Sequence, residues 1–283
     1  MISIEFKKYL EDLLSETIIS IQTLSGGDIN DVYLLITKTQ KCVVKRNTAS
    51  KFPGMFEAEA YGLKILKNSN TFTVPEILDF GRHDDNGFLI LSYIEIAQPI
   101  PNFWEVFGRK LAALHQCDMS YFGLEQHNYI GNLPQYNSKC NSAAEFYISQ
   151  RLQPQFKLAI KKGYVFSGLD KFYQIIESEI PNEQPSLIHG DLWSGNYIID
   201  KNGSPCLIDP AIAYAPREMD IGMMHLFGGF NANLFETYNE VFPLVDHWNN
   251  RLPIWQLYYL LVHLNVFGSS YYKSIQKILS RYI

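Results

Sequence analysis

Short apolar runs broken by polar turns fill the chain up to residue 93, and helical spacing dominates the rest. Residues 3–15 set Ile4, Phe6, Leu10, Leu13 and Leu14 on or near one helical face. A strand is predicted over 18–24, a polar turn over 25–31, a returning strand over 32–36 and a third over 41–46. The spacing then predicts a helix over 55–67. In it Met55, Glu59, Leu63 and Leu66 share one stripe with Phe56 and Ala60 beside it, while Glu57, Tyr61 and Lys64 face elsewhere. Residues 74–81 and 87–94 read as two strands around the polar turn 82–86; the second is nearly all apolar, which suits a central, buried strand. Pro99 and Pro101 break the pattern. Beyond them helices are predicted over 103–116, 143–163, 169–180, 254–267 and 271–282, with a turn-rich loop over 128–137. The aromatic stripes of the last helices read as core, and His115 as a packing or capping residue, since no second ligand is spaced to join it in a metal site. The expected fold is α+β and two-lobed: a small β-rich lobe over 1–93 and a larger, mainly helical lobe over 94–283.

Composition narrows the partners. With 47% hydrophobic and 19% charged residues among 283, the chain should fold and not remain largely disordered. A net charge of −5 argues against a nucleic-acid or anionic-membrane surface, which would want a basic stripe. Cys42, Cys117, Cys140 and Cys206 form no C-x-x-C pair, so disulfides and structural zinc are not expected, and reduced thiols in a cytoplasmic setting are the default. The first residues mix both charge signs without the apolar core of a signal peptide, and no run approaches membrane-spanning length.

Candidate chemistry concentrates between residues 187 and 210. Two apolar runs, 197–199 and 206–208, flank the turn composition Lys201-Asn202-Gly203-Ser204 and predict a hairpin. Asp191 precedes it, Asn196 enters it and Asp209 leaves it. A kinase catalytic loop needs this layout: one carboxylate takes the acceptor hydroxyl's proton, while an amide and a second carboxylate hold Mg²⁺ against the phosphates of ATP. Asp and Asn crowd into ordinary loops as turn formers, so the pair alone would say little. The full string His189-Gly190-Asp191 with Asn196, followed by Ile208-Asp209-Pro210, carries the reading.

The other ATP-handling parts should then lie upstream in a fixed order, with an adenine hinge near residue 93. Gly26-Gly27 would let backbone amides approach phosphates, the alternative being a plain hairpin turn, with Asp28 pointing outward. Lys45 follows two valines, as suits a lysine reaching the phosphates from a third strand; otherwise Lys45 and Arg46 are the polar end of that strand. Glu59 on an apolar face is costly unless paired, and Lys45 is its obvious partner. Ser92-Tyr93-Ile94 marks the exit of the buried strand, where backbone groups would meet adenine. Asp220 either caps an apolar helix or anchors the catalytic-loop backbone, the second being favoured.

The chain also resembles the fructosamine kinases, or ketosamine-3-kinases, within the aminoglycoside- and choline-kinase-like superfamily. The resemblance runs nearly end to end. It rests on Gly26-Gly27 with Asn30, Val44-Lys45-Arg46-Asn47, the loop Asn128-Tyr129-Ile130-Gly131-Asn132-Leu133-Pro134-Gln135, and Arg151-Leu152-Gln153-Pro154-Gln155. His189-Gly190-Asp191-Leu192-Trp193-Ser194-Gly195-Asn196, Asp209-Pro210-Ala211, Arg217-Glu218-Met219-Asp220 and Leu226-Phe227-Gly228-Gly229-Phe230 are the most telling segments. The resemblance implies ATP-dependent phosphorylation of the C3 hydroxyl of a ketoamine, fructosamine or ribulosamine, on a free or protein-borne amine, initiating deglycation. It makes Asp191 the base, Asn196 and Asp209 the Mg²⁺ ligands, and Lys45 the phosphate-binding residue positioned by Glu59. Trp193 falls on the sugar side, or else in the core. Some family members carry a cysteine in the Gly-rich loop linked with redox control; Asp28 stands about there, so that control is not carried over. Protein kinases follow the second Asp with Phe-Gly, whereas Pro210 here biases Asp209 to an extended backbone and predicts a metal-binding Asp without an in–out flip.

Two rival readings differ in class: a kinase for another small hydroxyl compound such as choline, a sugar or an aminoglycoside, and a nucleotide-binding scaffold without catalysis. No acidic cluster suited to a polycationic antibiotic stands out, and Lys45, Asp191, Asn196 and Asp209 are all present. The sugar, the oligomeric state and Mg²⁺ versus Mn²⁺ stay open at this level.

Overall fold

The structure, a computed structural model, describes residues 2–24 and 30–283. Two compact units emerge: Met1–Ile100 with Ile198–Ile208, and Pro101–Tyr197 with Asp209–Ile283. The division in the chain falls after Ile100, beyond the expected break at residue 93, and the 198–208 segment clusters with the first unit.

In the first unit, helix α1 (Ile4–Leu14) starts at Ser3, whose hydroxyl accepts from the Phe6 N–H at 3.1 Å, and stops at Ser15 in a left-handed conformation. Phe6 and Leu10 are buried, but Ile4 is 89% exposed and Leu13 in the last turn is exposed as well, so the apolar face is narrower than predicted. Ile4 lies two residues from Phe6, about 200° round the helix from it. Strands β1 (Ser20–Thr23), β2 (Asp31–Ile36) and β3 (Lys41–Thr48) follow, then helix α2 (Met55–Asn68), β4 (Ile77–His83) and β5 (Asn86–Ser92). They form one antiparallel sheet in the order β1-β2-β3-β5-β4, which puts the apolar β5 inside the sheet with Gly87–Leu91 buried. Cys42 and Val44 pack with Phe6, Leu10, Phe88 and Ile90 in one core cluster. Strand alternation therefore turns Lys45 to the opposite face.

The second unit opens with α3 (Phe103–His115). The expected loop 128–137 is instead a small hairpin, β6 (Asn128–Ile130) with β7 (Leu133–Gln135), turning at Gly131 where φ is +58°. Three-residue strands are too short to display alternation in sequence. The single helix predicted over 143–163 is α4 (Ala143–Phe146), a π-helical stretch Tyr147–Leu152 and α5 (Gln153–Lys161) in succession. Helix α6 (Leu169–Glu179) and β8 (Ser186–Ile188) lead to the hairpin β9 (Tyr197–Ile199) and β10 (Pro205–Leu207). The hairpin is bound to the first unit through Leu207 N–H to the Thr73 carbonyl (2.9 Å), Ala97 N–H to Ile199 (3.2 Å) and Ile100 N–H to Gly203 (3.1 Å). Strand β11 (Ala213–Ala215) then pairs with β8, and helices α7 (Glu218–Phe227), α8 (Ala232–Val241), α9 (Trp248–Phe267) and α10 (Tyr272–Leu279) complete the unit. Trp255, Tyr258 and Tyr259 are fully buried, as expected of core aromatics. Among the described residues no helix is long and apolar enough to cross a membrane.

Candidate active site

Two of the sequence-predicted residues of the first unit, Lys45 and Glu59, form an ion pair. Lys45, 5% exposed, lies with its Nζ 2.6 Å from Glu59 Oε1, whereas Glu57 is exposed. The helical period had separated the two carboxylates correctly. At the exit of β5, the Ser92 N–H donates to the Glu76 carbonyl (2.8 Å) and the Tyr93 N–H to the Lys41 carbonyl (3.3 Å). Among the described residues the Ile94 N–H makes no such bond, so it is the backbone donor of the three left for a ligand. A groove of about 570 Å³ borders Tyr93 and Ile94, together with Thr37–Lys41 of the β2–β3 turn and Asp200, Lys201 and Asn202. Lys45 and Glu59 do not line it. Gly26 and Gly27 lie outside the described residues.

In the second unit Asp191, Asn196 and Asp209 come together around a fixed backbone. Gly190 has φ +82°, and a Cβ there would stand 2.1 Å from the Ala211 carbonyl oxygen, so only glycine fits. The N–H groups of His189 and Gly190 each donate to the Asp220 carboxylate at 2.8 Å. Asp220 is fully buried and also meets His115 Nε2 at 3.2 Å, while His115 Nδ1 meets the Tyr238 hydroxyl at 2.9 Å. Asp220 is thus the loop anchor, and His115 a hydrogen-bonded core residue. Asn196 Nδ2 donates to the Asp191 carbonyl (2.8 Å) and carboxylate (3.1 Å), which turns its own amide oxygen to other partners. Burial, then the charges of Asp209 and Asp220, push the Asp191 carboxyl up to about 7, against the lowering effect of the Asn196 hydrogen bond. Trp193 is 39% exposed with its ring laid on Gly195, where a Cβ would come within 2.2 Å of it. It is not a core tryptophan.

One expectation fails here. Asp209 is not extended: its φ is +55°, in the left-handed region. Asp tolerates that region better than most residues. The segment after Pro210 is also tied down, with the Ala211 N–H donating to the His189 carbonyl at 2.9 Å, so tertiary hydrogen bonds outweigh the local proline bias. The β6–β7 hairpin reaches the same segment: Gln135 Nε2 donates to the Ala211 carbonyl (3.0 Å) and Asn128 Nδ2 to that of Ile212 (2.9 Å). Nothing in the sequence patterning signalled this contact, because Asn and Gln in a turn-rich stretch look like loop residues. Among the described residues, no three His, Cys, Asp or Glu side chains gather into a metal-binding group.

Comparison with known proteins points one way. The sequence profile of the fructosamine kinase family matches residues 4–283. A probable ketoamine kinase of Enterococcus faecium is 37% identical over 263 residues, spanning 91% of this chain and 93% of the relative. Another, from Vibrio vulnificus, is 36% identical over 277 residues and spans 95% of each. A crystal structure from Haemophilus somnus 129PT, provisionally assigned as a fructosamine-3-kinase, matches with a TM-score of 0.89 at 29% identity, covering 98% of this chain and 96% of that one. The aminoglycoside phosphotransferase APH(4)-Ia matches at 0.60 and 14% identity over 97% of this chain and 95% of its own, a likeness of fold alone.

Proposed function

Since this chain belongs to the fructosamine kinase family, an ATP-dependent phosphotransferase family of protein-kinase-like fold, we propose that it phosphorylates the C3 hydroxyl of a ketoamine such as fructosyl- or ribulosyl-lysine. The observation that carries the mechanistic reading is Asp191: a half-buried carboxyl shifted to about 7, on a backbone held through Asp220 and with Asn196 bound to it. A base with its pKa near the working pH combines a large ionised fraction with strong proton affinity. Asp191 therefore accepts the proton of the attacking hydroxyl. Lys45, held by Glu59, binds the ATP phosphates, and the Ile94 N–H faces adenine, with Ser92 and Tyr93 framing it. The exposed Trp193 indole offers its flat apolar face to the sugar.

The amide oxygen of Asn196 and the carboxylate of Asp209 are hard oxygen donors of the type Mg²⁺ takes. With no group of three His, Cys, Asp or Glu side chains gathered there among the described residues, phosphate and water would supply the remaining ligands, as suits Mg²⁺. When bound, the ion neutralises phosphate charge during transfer. A C3-phosphorylated ketoamine is unstable and releases the amine, which gives the reaction a role in deglycation. The four unpaired cysteines suit a reducing compartment, the cytoplasm.

ATP consumption with Mg²⁺ against fructosyl-lysine, ribulosyl-lysine, free fructose, choline and kanamycin tests the proposal, with Asp191→Asn run alongside. Turnover on a ketoamine that collapses in the variant is expected. Turnover on choline or kanamycin alone would move the chain to another substrate class, and nucleotide binding without any turnover would favour a scaffold.

A further inference from the structure

Behind the Asp209 segment lies a knot of buried polar side chains to which no step above assigns a task. Arg151 is 1% exposed, Asn137 0%, Gln135 2% and Asn128 6%. Such burial is tolerable only where the groups are hydrogen-bonded to one another. Arg151 donates to the Asn137 amide oxygen (2.8 Å) and to the Tyr136 and Gln150 carbonyls, with its guanidinium 4.4 Å from the centre of the Phe146 ring. Asn137 Nδ2 passes the chain on to Asn128 Oδ1 at 2.9 Å. Gln135 Nε2 donates to that same oxygen (2.8 Å) and to the Ala211 carbonyl, which can only accept and so requires the NH₂ end, while the Tyr258 hydroxyl donates to Gln135 Oε1 at 2.7 Å and holds the other end of the amide.

The network ends on two consecutive main-chain carbonyls, those of Ala211 and Ile212, just beyond Asp209 and Pro210. Pro210 has no N–H to donate, so Ala211 is the first residue after Asp209 with a main-chain donor. Ala211 is gripped from two sides. Its N–H is bound to His189 and its oxygen abuts Gly190, both in the Asp191 loop, while Gln135 holds that oxygen from the other side. A left-handed non-glycine residue such as Asp209 persists only where its surroundings over-determine it.

We propose that Gln135, backed by Asn128 and Tyr258, is a positioning residue that fixes how Asp209 presents its carboxylate to a divalent ion and how that carboxylate stands relative to Asp191. The inference rests on Asp209 being a metal ligand, as proposed above. Gln135→Met keeps the length of the side chain and removes its hydrogen bonds to Ala211, Asn128 and Tyr258. Mn²⁺ binding to the full chain with AMP-PNP, read by the EPR signal of free Mn²⁺, should weaken by about 10–100-fold, the range for groups that orient metal ligands. Binding of AMP-PNP in EDTA should not change. Tyr258→Phe, which deletes only the hydroxyl that holds the oxygen end of the Gln135 amide, should lose Mn²⁺ affinity in the same direction by less, and it serves if Gln135→Met does not fold. Wild-type Mn²⁺ affinity in the folded variants, with only a lowered Tm, would overturn the inference and leave the knot structural. Asp209→Asn separates the two levels. If it binds Mn²⁺ as wild type does, the ligand reading falls and this inference with it. If it loses Mn²⁺ while Gln135→Met and Tyr258→Phe retain it, the inference alone falls.

Discussion

Replacing Asp220 by Asn is the sharpest probe of how the Asp191 loop is held. The wild-type carboxylate accepts two backbone N–H groups at 2.8 Å, one on each oxygen, and a third contact from His115 at 3.2 Å, all in a fully buried place. An amide of the same shape keeps one oxygen and turns an NH₂ group towards the other backbone donor. That loses one hydrogen bond to a charged acceptor, about 1.5–3 kcal/mol, and leaves a buried N–H unpaired, about 1–3 kcal/mol, with partial relaxation bringing the total to about 2–4 kcal/mol. At about 2–4 °C per kcal/mol for a body of this size, Tm should fall by about 5–15 °C. Below the transition kcat should fall about 100-fold, because misplacing a reacting group by about 1 Å costs that much. KM for ATP should move far less, since Lys45 and Glu59 belong to the first unit. Thermal scans with steady-state kinetics at 15–20 °C below the variant's Tm (roughly, to stay clear of local opening) provide the assay. Unchanged Tm and kcat would refute the anchoring argument, and a lowered Tm with wild-type kcat would confine Asp220 to stability.

Asp191→Asn should lower kcat by about 100–10,000-fold, the usual worth of a positioned general base. Because the folded-state carboxyl is raised from 3.8 to about 7, wild-type stability in EDTA falls as pH climbs between those values, and the variant should be the more stable protein above pH 7, by at most about 4 kcal/mol, with the difference gone near pH 4; urea melts whose difference does not grow between pH 4 and 7 would contradict the shift. Glu59→Gln removes the charge 2.6 Å from Lys45 and should raise KM for ATP by about tenfold or more, the value of a charged hydrogen bond, whereas unaltered ATP kinetics would remove the pair from the nucleotide site. Trp193→Ala should leave unfolding free energy within the small range of surface changes, about 0.5 kcal/mol either way, while raising KM for the ketoamine. A loss of about 3–5 kcal/mol would instead mark a core residue.

Where a side chain's neighbours in space are also its neighbours in helical period, the sequence was readable. The Lys45–Glu59 pair followed from a carboxylate on an apolar stripe beside a strand lysine, and the role of Asp220 from a carboxylate leading an apolar helix. Failures came where contacts between distant segments decide conformation. The proline rule for Asp209 is local and energetically modest, and it gave way to hydrogen bonds that join residues 128, 135 and 189 to residues 211 and 212. Ile4 looked buried because it is apolar, although its angular position opposite Phe6 sends it outward. Strand β11 and the β6–β7 hairpin have only three residues per strand, below the length at which a period can register.

The hairpin assigned to the first unit bears on how such chains can be recombined. The polypeptide leaves the second unit after Tyr197 and returns at Asp209, so the first unit is not a contiguous cassette. A fragment cut at residue 100 would lack the hairpin that receives the Ala97 and Ile100 N–H groups, at Ile199 and in the turn at Gly203, and supplies the donor to the Thr73 carbonyl. A chimera that exchanges only the first hundred residues with a relative would pair a foreign sheet with a native hairpin. Grafting 198–208 along with them restores the matched contacts, and makes the natural unit of exchange two segments, not one.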